Sequence, residues 1–272
     1  MERNPLVSII LPVYNGETYI ADAVQSVMHQ SYRNWELLII NDGSTDDTLA
    51  VVKKFPDKRI HLFNQINKGV SAARNTGFQN MKGDYFCFLD ADDMLPPKSI
   101  ETRLKVFKTH PDTEFVDGVT EVKNSDLTKT LFVFEPRFTG NPHNELLKLS
   151  DKCFFGPTWF IKRNNKKGYH MNETLTHGED LLFYIEISTK GTYRYVNDKI
   201  YIYRKSANSA MTNLKGLEKG YIELWKIIRQ KSMYNKKQLF LLRLKIKKIM
   251  LLSYLKNRQP VKALKTLIRP MK

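Results

Sequence analysis

Val7-Ser8-Ile9-Ile10-Leu11-Pro12-Val13-Tyr14-Asn15 is a short apolar run that stops abruptly in polar residues. A run of this length bounded by turn formers is a buried strand, and the helical period over residues 19–29 makes the next element a helix. The alternation then repeats. Residues 36–41 form a second strand ending in Asn41-Asp42-Gly43-Ser44, and residues 45–55 a helix announced by Ser44 or Thr45 ahead of Asp46 and Asp47. A third strand (60–63), a helix (70–81), a strand (85–89) ending in Asp90-Ala91-Asp92-Asp93, and a helix from Pro96-Pro97 to about residue 110 complete the pattern. Strands joined by helical crossovers define an α/β fold with parallel strands between helices.

Beyond residue 110 the signals thin to strands over 115–122 and 130–134, a helix over 179–189 and one or two strands over 193–204. There is no internal repeat and no low-complexity linker. With 272 residues, 42% of them hydrophobic, the chain can bury a sizeable core, which argues against a disordered protein.

In an open α/β sheet, ligands bind beyond the carboxyl ends of the strands. Three polar clusters fall at such ends: Pro12-Val13-Tyr14-Asn15, Asp42-Gly43-Ser44 and Asp90-Ala91-Asp92-Asp93. Three carboxylates within four residues repel unless a cation or a donor array stabilises them, and Mg²⁺ or Mn²⁺ does so while sharing its shell with phosphate oxygens. The competing reading of the triplet is a solvated turn or helix cap. Tyr14 can stack on a nucleobase and Asp42 can accept an imide N–H, although Asp-Gly-Ser is also a common turn and Asp42 a plausible helix cap. Lys68, Gly69 and Arg74 open a helix whose N-terminus can face phosphate.

Together Val7-Ser8-Ile9-Ile10-Leu11-Pro12-Val13-Tyr14-Asn15-Gly16-Glu17, Asn41-Asp42-Gly43-Ser44-Thr45-Asp46, Ala73-Arg74-Asn75-Thr76-Gly77 and Leu89-Asp90-Ala91-Asp92-Asp93 strongly resemble glycosyltransferase family 2, closely over residues 5–110 and loosely to about 212. The resemblance implies a GT-A nucleotide-diphospho-sugar transferase fold with a mostly parallel central sheet flanked by helices. It also implies inversion at the anomeric carbon and Mn²⁺ or Mg²⁺ at the Asp-x-Asp motif. Transferred by position, it gives Tyr14 and Asp42 to the nucleobase, Asp90 and Asp92 to ribose and metal, and Asp93 as an alternative ligand, so the metal candidates are Asp92 and Asp93. The nucleotide-binding set is completed by Pro12, Asn15, Glu17, Lys68, Gly69, Arg74 and Ala91.

The matching Glu-Asp pair is Glu179-Asp180, where the family places its catalytic base. An acceptor hydroxyl attacks opposite the leaving diphosphate, so a base must lie across the sugar from the metal. Asp180 is assigned to that role with Glu179 as runner-up. Without the resemblance, both would read as N-terminal helix charges. One departure stands out: Tyr203-Arg204-Lys205-Ser206 has serine where relatives often carry histidine, with His177 a weak substitute. The aromatic stretch from Phe154 to Phe160 reads as acceptor lining or as core.

The expected product is a hexose or N-acetylhexosamine moved from a UDP-sugar to a hydroxyl of a glycan or lipid-linked acceptor in surface polysaccharide synthesis. A metal-dependent nucleotidyltransferase is the competing enzyme class, and a nucleic-acid-binding protein the competing non-enzyme.

The net charge of +16 is concentrated at one end: residues 213–272 hold 17 Lys/Arg against 2 Asp/Glu, while residues 1–212 hold 27 against 26. The chain therefore divides into a catalytic domain (1–212, nucleotide-sugar half to about 110 and acceptor half after it) and a basic helical tail (213–272). A near-neutral body without a nucleic-acid module argues against nucleic acid as partner. In the tail, Leu239, Leu242, Ile246 and Ile249 recur at helical spacing among Arg243, Lys245, Lys247 and Lys248. The stripe suits an anionic membrane surface, or else packing on the body with the charges solvated. Cys87 and Cys153 form no disulfide framework, no leader is expected ahead of the first strand, and no apolar run reaches the ~18 residues of a spanning helix. The expected place is the cytoplasm, peripheral on the inner face of the cell membrane.

Overall fold

The computed structural model describes residues 4–164, 168–206, 213–268 and 271. Its strands are β1 (Val7–Val13), β2 (Trp35–Asn41), β3 (Ile60–Asn64), β4 (Tyr85–Phe88), β5 (Thr113–Lys123), β6 (Thr130–Phe134), β7 (Phe160–Lys162) and β8 (Thr192–Arg204). They form one sheet in the order β3-β2-β1-β4-β7-β5-β6, with β8 paired to β5. The first four strands are parallel; β7 runs antiparallel to β4 and β5, β6 antiparallel to β5, and β8 parallel to it. The expected parallel arrangement thus holds for β1 to β4, and the sheet beyond them is mixed.

Every position of β1 and β2 is buried, as required of parallel strands covered on both faces. Because side chains alternate across a strand, Ile9, Leu11, Leu37 and Ile39 point to one core and Ile10, Leu38 and Ile40 to the other. The first core takes α1 (Ile20–Met28), α2 (Thr48–Val52) and α4 (Ser99–Thr109). The second takes α3 (Val70–Asn80), α5 (His143–Leu147) and α6 (Glu179–Ile187). Gly77 of α3 is a close-approach residue, since a Cβ there would lie 2.4 Å from Ile10 Cγ2. Trp159 and Phe160 are core, with Trp159 stacked on Tyr184 at 4.2 Å.

Two expected helices begin late. The helix expected over 45–55 is only α2, and neither Ser44 nor Thr45 caps it, because residues 44–47 are bonded to the loop after β1. Pro96-Pro97 does not open α4: Gln30 Nε2 donates to the carbonyls of Leu95 and Pro96, and Ser31 N–H to that of Pro97, holding this segment as a turn.

Three helices follow: α7 (Leu214–Gln230), α8 (Lys236–Lys256) and α9 (Pro260–Ile268). Asn235 and Gln238 form a reciprocal capping box at the start of α8. Leu224, Trp225 and Ile228 of α7 and Leu242 and Ile246 of α8 join the same core as Phe183 and Tyr184 of α6. The stripe expected to lie on lipid is therefore turned inward, extended by Met250 and Tyr254, with Leu239 and Ile249 half-buried. No described helix is long and apolar enough to cross a membrane.

Candidate active site

The crevice beyond the carboxyl ends of β1, β2 and β4 is built by loops that bond to one another. Asn15, at φ 50°, accepts the Thr45 N–H at 2.8 Å and donates its own N–H to Ser44 Oγ at 3.0 Å. Glu17 accepts the Asp47 N–H at 2.8 Å, and its own N–H meets Asp46 at 3.0 Å. Asn15 and Glu17 thus lock the first two loops together. Pro12 is buried in β1, whereas Tyr14 at the strand's end is 53% exposed and free to stack.

Asp42 is 3% exposed and does not cap α2. Its carboxylate accepts from Gln65 Nε2 (2.7 Å) and from the N–H groups of Lys68 (2.9 Å) and Gly69 (2.8 Å). Three donors leave it room for one more, so it can still receive an imide N–H while shaping the turn before α3. Gly69 sits at φ +88°, a conformation glycine adopts without strain, and Lys68 and Gly69 are exposed at the helix start.

Arg74 connects the two halves. It is 2% exposed, its Nη2 donates to Asp90 Oδ1 at 2.7 Å, and its Nη1 lies 3.6 Å from Glu179 Oε1. Burial opposes its charge, but Asp90, Glu179 and Asp180 more than offset that and raise its pKa. The neighbouring Asn75 accepts the Met171 N–H at 2.7 Å and donates to the Met171 carbonyl and Glu173, clamping the segment that leads to α6. Asn75 lay within a quoted motif but had no assigned role.

The aspartate triplet divides. Asp90 and Asp92 are half-buried beside Ala91, and burial together with Asp90 pushes the Asp92 carboxyl up to about 6 against the opposing pull of Arg204. Asp93 is 1% exposed: it accepts the Arg204 N–H at 2.7 Å and is hydrogen-bonded to the Tyr201 hydroxyl, which also accepts the Asp90 N–H at 3.2 Å. Arg204 Nε donates to the Asp92 carbonyl at 2.7 Å, and its Nη2 to Asp22 at 2.6 Å. Sequence reasoning missed Tyr201 and Arg204 as supports of the triplet.

Across Arg74 from the triplet, α6 begins at Gly178, in the left-handed region at φ 77°. Glu179 faces Arg74, while Asp180 accepts the Leu181 N–H at 2.7 Å. Burial and then the adjacent Glu179 push the Asp180 carboxyl up to about 7, with Arg74 pulling the other way. His177 packs on α7, where a Cβ at Gly220 would lie 2.5 Å from its carbonyl oxygen and one at Gly216 2.5 Å from its ring. Its hydroxyl partner is Thr176.

No group of three His, Cys, Asp or Glu side chains among the described residues forms a cation cage. Asp92 supplies carboxylate oxygens of the hard type that Mg²⁺ or Mn²⁺ prefers, while Asp90 Oδ1 is already held by Arg74 at 2.7 Å. Burial is the larger cause of the raised Asp92 carboxyl, and the neighbouring Asp90 adds to it.

The sequence model of the family described as Glycosyl transferase family 2 matches residues 8–167. The chain is 38% identical over 144 residues to the Escherichia coli UDP-Glc:alpha-D-GlcNAc-diphosphoundecaprenol beta-1,3-glucosyltransferase WfgD, covering 53% of this chain and 55% of that one. The chain spans about half the length, or less, of the curated relatives it matches. Staphylococcus aureus TarS residues 1–349, solved in complex with UDP-GlcNAc, superposes with a TM-score of 0.67 over 89% of this chain and 71% of that one at 18% identity. The mannosyltransferase PcManGT from Pyrobaculum calidifontis, in complex with GDP-Man and Mn²⁺, gives 0.65 over 94% and 76% at 16% identity. These two likenesses show a shared GT-A fold.

Proposed function

Because the chain belongs to glycosyltransferase family 2, we propose that it transfers a hexose or N-acetylhexosamine, with inversion, from a UDP-sugar to a hydroxyl of a glycan or lipid-linked acceptor. The observation that carries this reading is Arg74, buried between Asp90 on one side and the Glu179-Asp180 helix start on the other. One guanidinium ties the carboxylate just past β4 to the start of α6, so the two carboxylate-bearing sides of the crevice are held as one unit, the fixed positioning that a displacement between bound groups benefits from. The E. coli relative's UDP-glucose donor and diphosphoundecaprenol-linked acceptor, and the UDP-GlcNAc held by TarS, support the donor and acceptor classes.

In this reading Tyr14 stacks on the uracil and the remaining acceptor capacity of Asp42 takes its imide N–H. Lys68, Gly69 and the start of α3 face the phosphates, and Asp90 lies toward the ribose. Mn²⁺ or Mg²⁺ held at Asp92 would neutralise charge growing on the departing diphosphate, a role supported by the Mn²⁺ complex of PcManGT. Asp93, tied to Arg204, holds the triplet's backbone. Asp180 takes the proton of the attacking hydroxyl: a carboxylate near 7 is well matched to general base work at neutral pH, and Glu179 is drawn toward Arg74.

The tail's excess of cations supports a peripheral position on the cytoplasmic face of an anionic membrane, within reach of a lipid-linked acceptor and of a role in surface polysaccharide assembly. Incubating the protein with UDP-glucose, UDP-galactose and UDP-GlcNAc, with Mn²⁺ and a prenyl-diphosphate-linked sugar, tests the reading. UDP release with a product of inverted anomeric configuration is expected. Retained configuration, or turnover of nucleoside triphosphates in place of UDP-sugars, overturns it.

A further inference from the structure

Between the last turns of α7 and the first turns of α8 lies a cavity of about 410 Å³, within the ~300–1,000 Å³ range of small-molecule sites. Arg229, Lys236 and Arg243 line it, over a floor of Trp225, Leu239 and Met271. Among the described residues no carboxylate side chain lines it, and the described ion pairs of this region, Lys226–Glu223 and Lys231–Glu186, engage other cations. The Arg229 guanidinium lies 5.2 Å from the Trp225 ring centre, and the Trp225 Nε1–H is already donated to the Leu239 carbonyl at 3.1 Å. What the cavity offers a ligand is thus three cations above an apolar base. Two of them are guanidiniums, whose planar fork suits phosphate oxygens.

Phe240 lines the same cavity and is 57% exposed, and from it a second apolar face runs along α8. At about 100° per residue, Phe240, Leu241, Leu244, Leu252 and Leu255 fall opposite the buried ridge of Leu242, Ile246 and Met250. Lys237, Lys245, Lys248 and Lys256 are exposed among and beside them. The helix is therefore apolar on two sides, one used by the core and one open. An apolar strip edged by lysines that ends in a cation-lined cavity has the complementarity of an anionic amphiphile.

We propose that this cavity seats the phosphate of an anionic membrane phospholipid, whose acyl chains lie along the open face of α8. The proposal rests on the reading that the tail meets a membrane and adds to it a discrete headgroup site. Arg229 and Arg243 hold the phosphate, Lys236 adds charge at the rim, and Phe240 marks where headgroup gives way to chain.

The test titrates the full chain with dihexanoyl phosphatidylglycerol below its micellar concentration, following tryptophan fluorescence, and separately sediments it with phosphatidylglycerol vesicles. Saturable binding is expected, weakened about tenfold or more by Arg229→Ala with Arg243→Ala, the scale of lost charge-assisted hydrogen bonds. Lys262→Ala with Lys265→Ala, which removes equal charge from exposed positions of α9, should leave it unchanged. Unaltered thermal melting of both double variants shows that they remain folded. Dihexanoyl phosphatidylcholine should bind at least about tenfold more weakly, since its headgroup carries no net charge. Equal loss in both double variants, no saturable binding, or tighter binding of farnesyl diphosphate than of the phospholipid overturns the site. Vesicle binding without short-chain binding overturns the site and leaves the membrane reading standing; short-chain binding without vesicle binding overturns the membrane reading and, with it, a membrane phospholipid as the occupant.

Discussion

Arg204 donates its backbone N–H to Asp93 at 2.7 Å, across 111 residues of sequence. The bond, with that of Tyr201, turns the last carboxylate of Asp90-Ala91-Asp92-Asp93 into the protein and separates two jobs that look interchangeable in sequence. Asp92→Ala should abolish turnover with little change in melting temperature. Asp93→Ala should strand the Arg204 N–H in a buried site and lower stability by roughly 1–3 kcal/mol. Excess chelator should stop turnover, with recovery on adding Mn²⁺ or Mg²⁺. Full activity in chelator, or an Asp92→Ala enzyme that turns over normally, removes the metal at Asp92 from the mechanism.

Asp180 gives the second prediction. Its carboxyl is raised to about 7, so as the proposed base it would be protonated and idle below that pH and charged above it. The rate should therefore climb as pH rises through about 7 and level off. Asp180→Asn should lower kcat by roughly two to four decades, the usual worth of general base catalysis, while UDP affinity in calorimetry stays unchanged. An inactive Glu179→Gln beside an active Asp180→Asn would exchange the two roles.

Arg74 holds both carboxylates, and a neutral side chain there leaves the half-buried Asp90 and Glu179 without their cation. Arg74→Met should destabilise, by less than the ~3–5 kcal/mol of a broken fully buried pair, because the carboxylates left behind keep part of their solvent contact. The milder Arg74→Lys retains the charge and loses the fork. Because Arg74 pulls the Asp180 carboxyl down, its loss should move the acidic limb of the pH–rate profile to higher pH. A limb that does not move would make Arg74 a packing residue only.

The parts of this protein legible in sequence are those whose signals are local. Val7–Val13 and Trp35–Asn41 are continuous apolar runs, buried throughout as such runs must be, and the polar ends of β1, β2 and β4 do converge. β7 escaped notice because three residues carry no period. For Asp42, read as a nucleobase acceptor, a turn or helix-cap reading stayed open because its backbone donors, Lys68 and Gly69, lie a full crossover away. In α8 the spacing of Leu242 and Ile246 correctly marked an apolar stripe. Period alone does not say whether a stripe meets lipid or protein, least of all in a helix with Leu244 and Leu255 on its other side.

That second face reshapes the experiment on the tail. Deleting residues 238–272 removes Leu242, Ile246, Met250 and Tyr254, each fully buried. At about 1.5–3 kcal/mol per side chain, the loss is comparable to a typical total stability of ~5–15 kcal/mol. The truncated chain should therefore precipitate or melt early, and its failure to bind vesicles would say nothing about lipid. Leu244→Glu with Leu255→Glu changes only exposed positions, so UDP-sugar hydrolysis and melting temperature should persist while binding to anionic vesicles falls at least about tenfold. Binding by the unaltered chain should also weaken between low and high salt, since surface attraction is screened over about 8–10 Å at physiological ionic strength. Vesicle binding that survives both the glutamates and high salt would take the membrane off this face of α8.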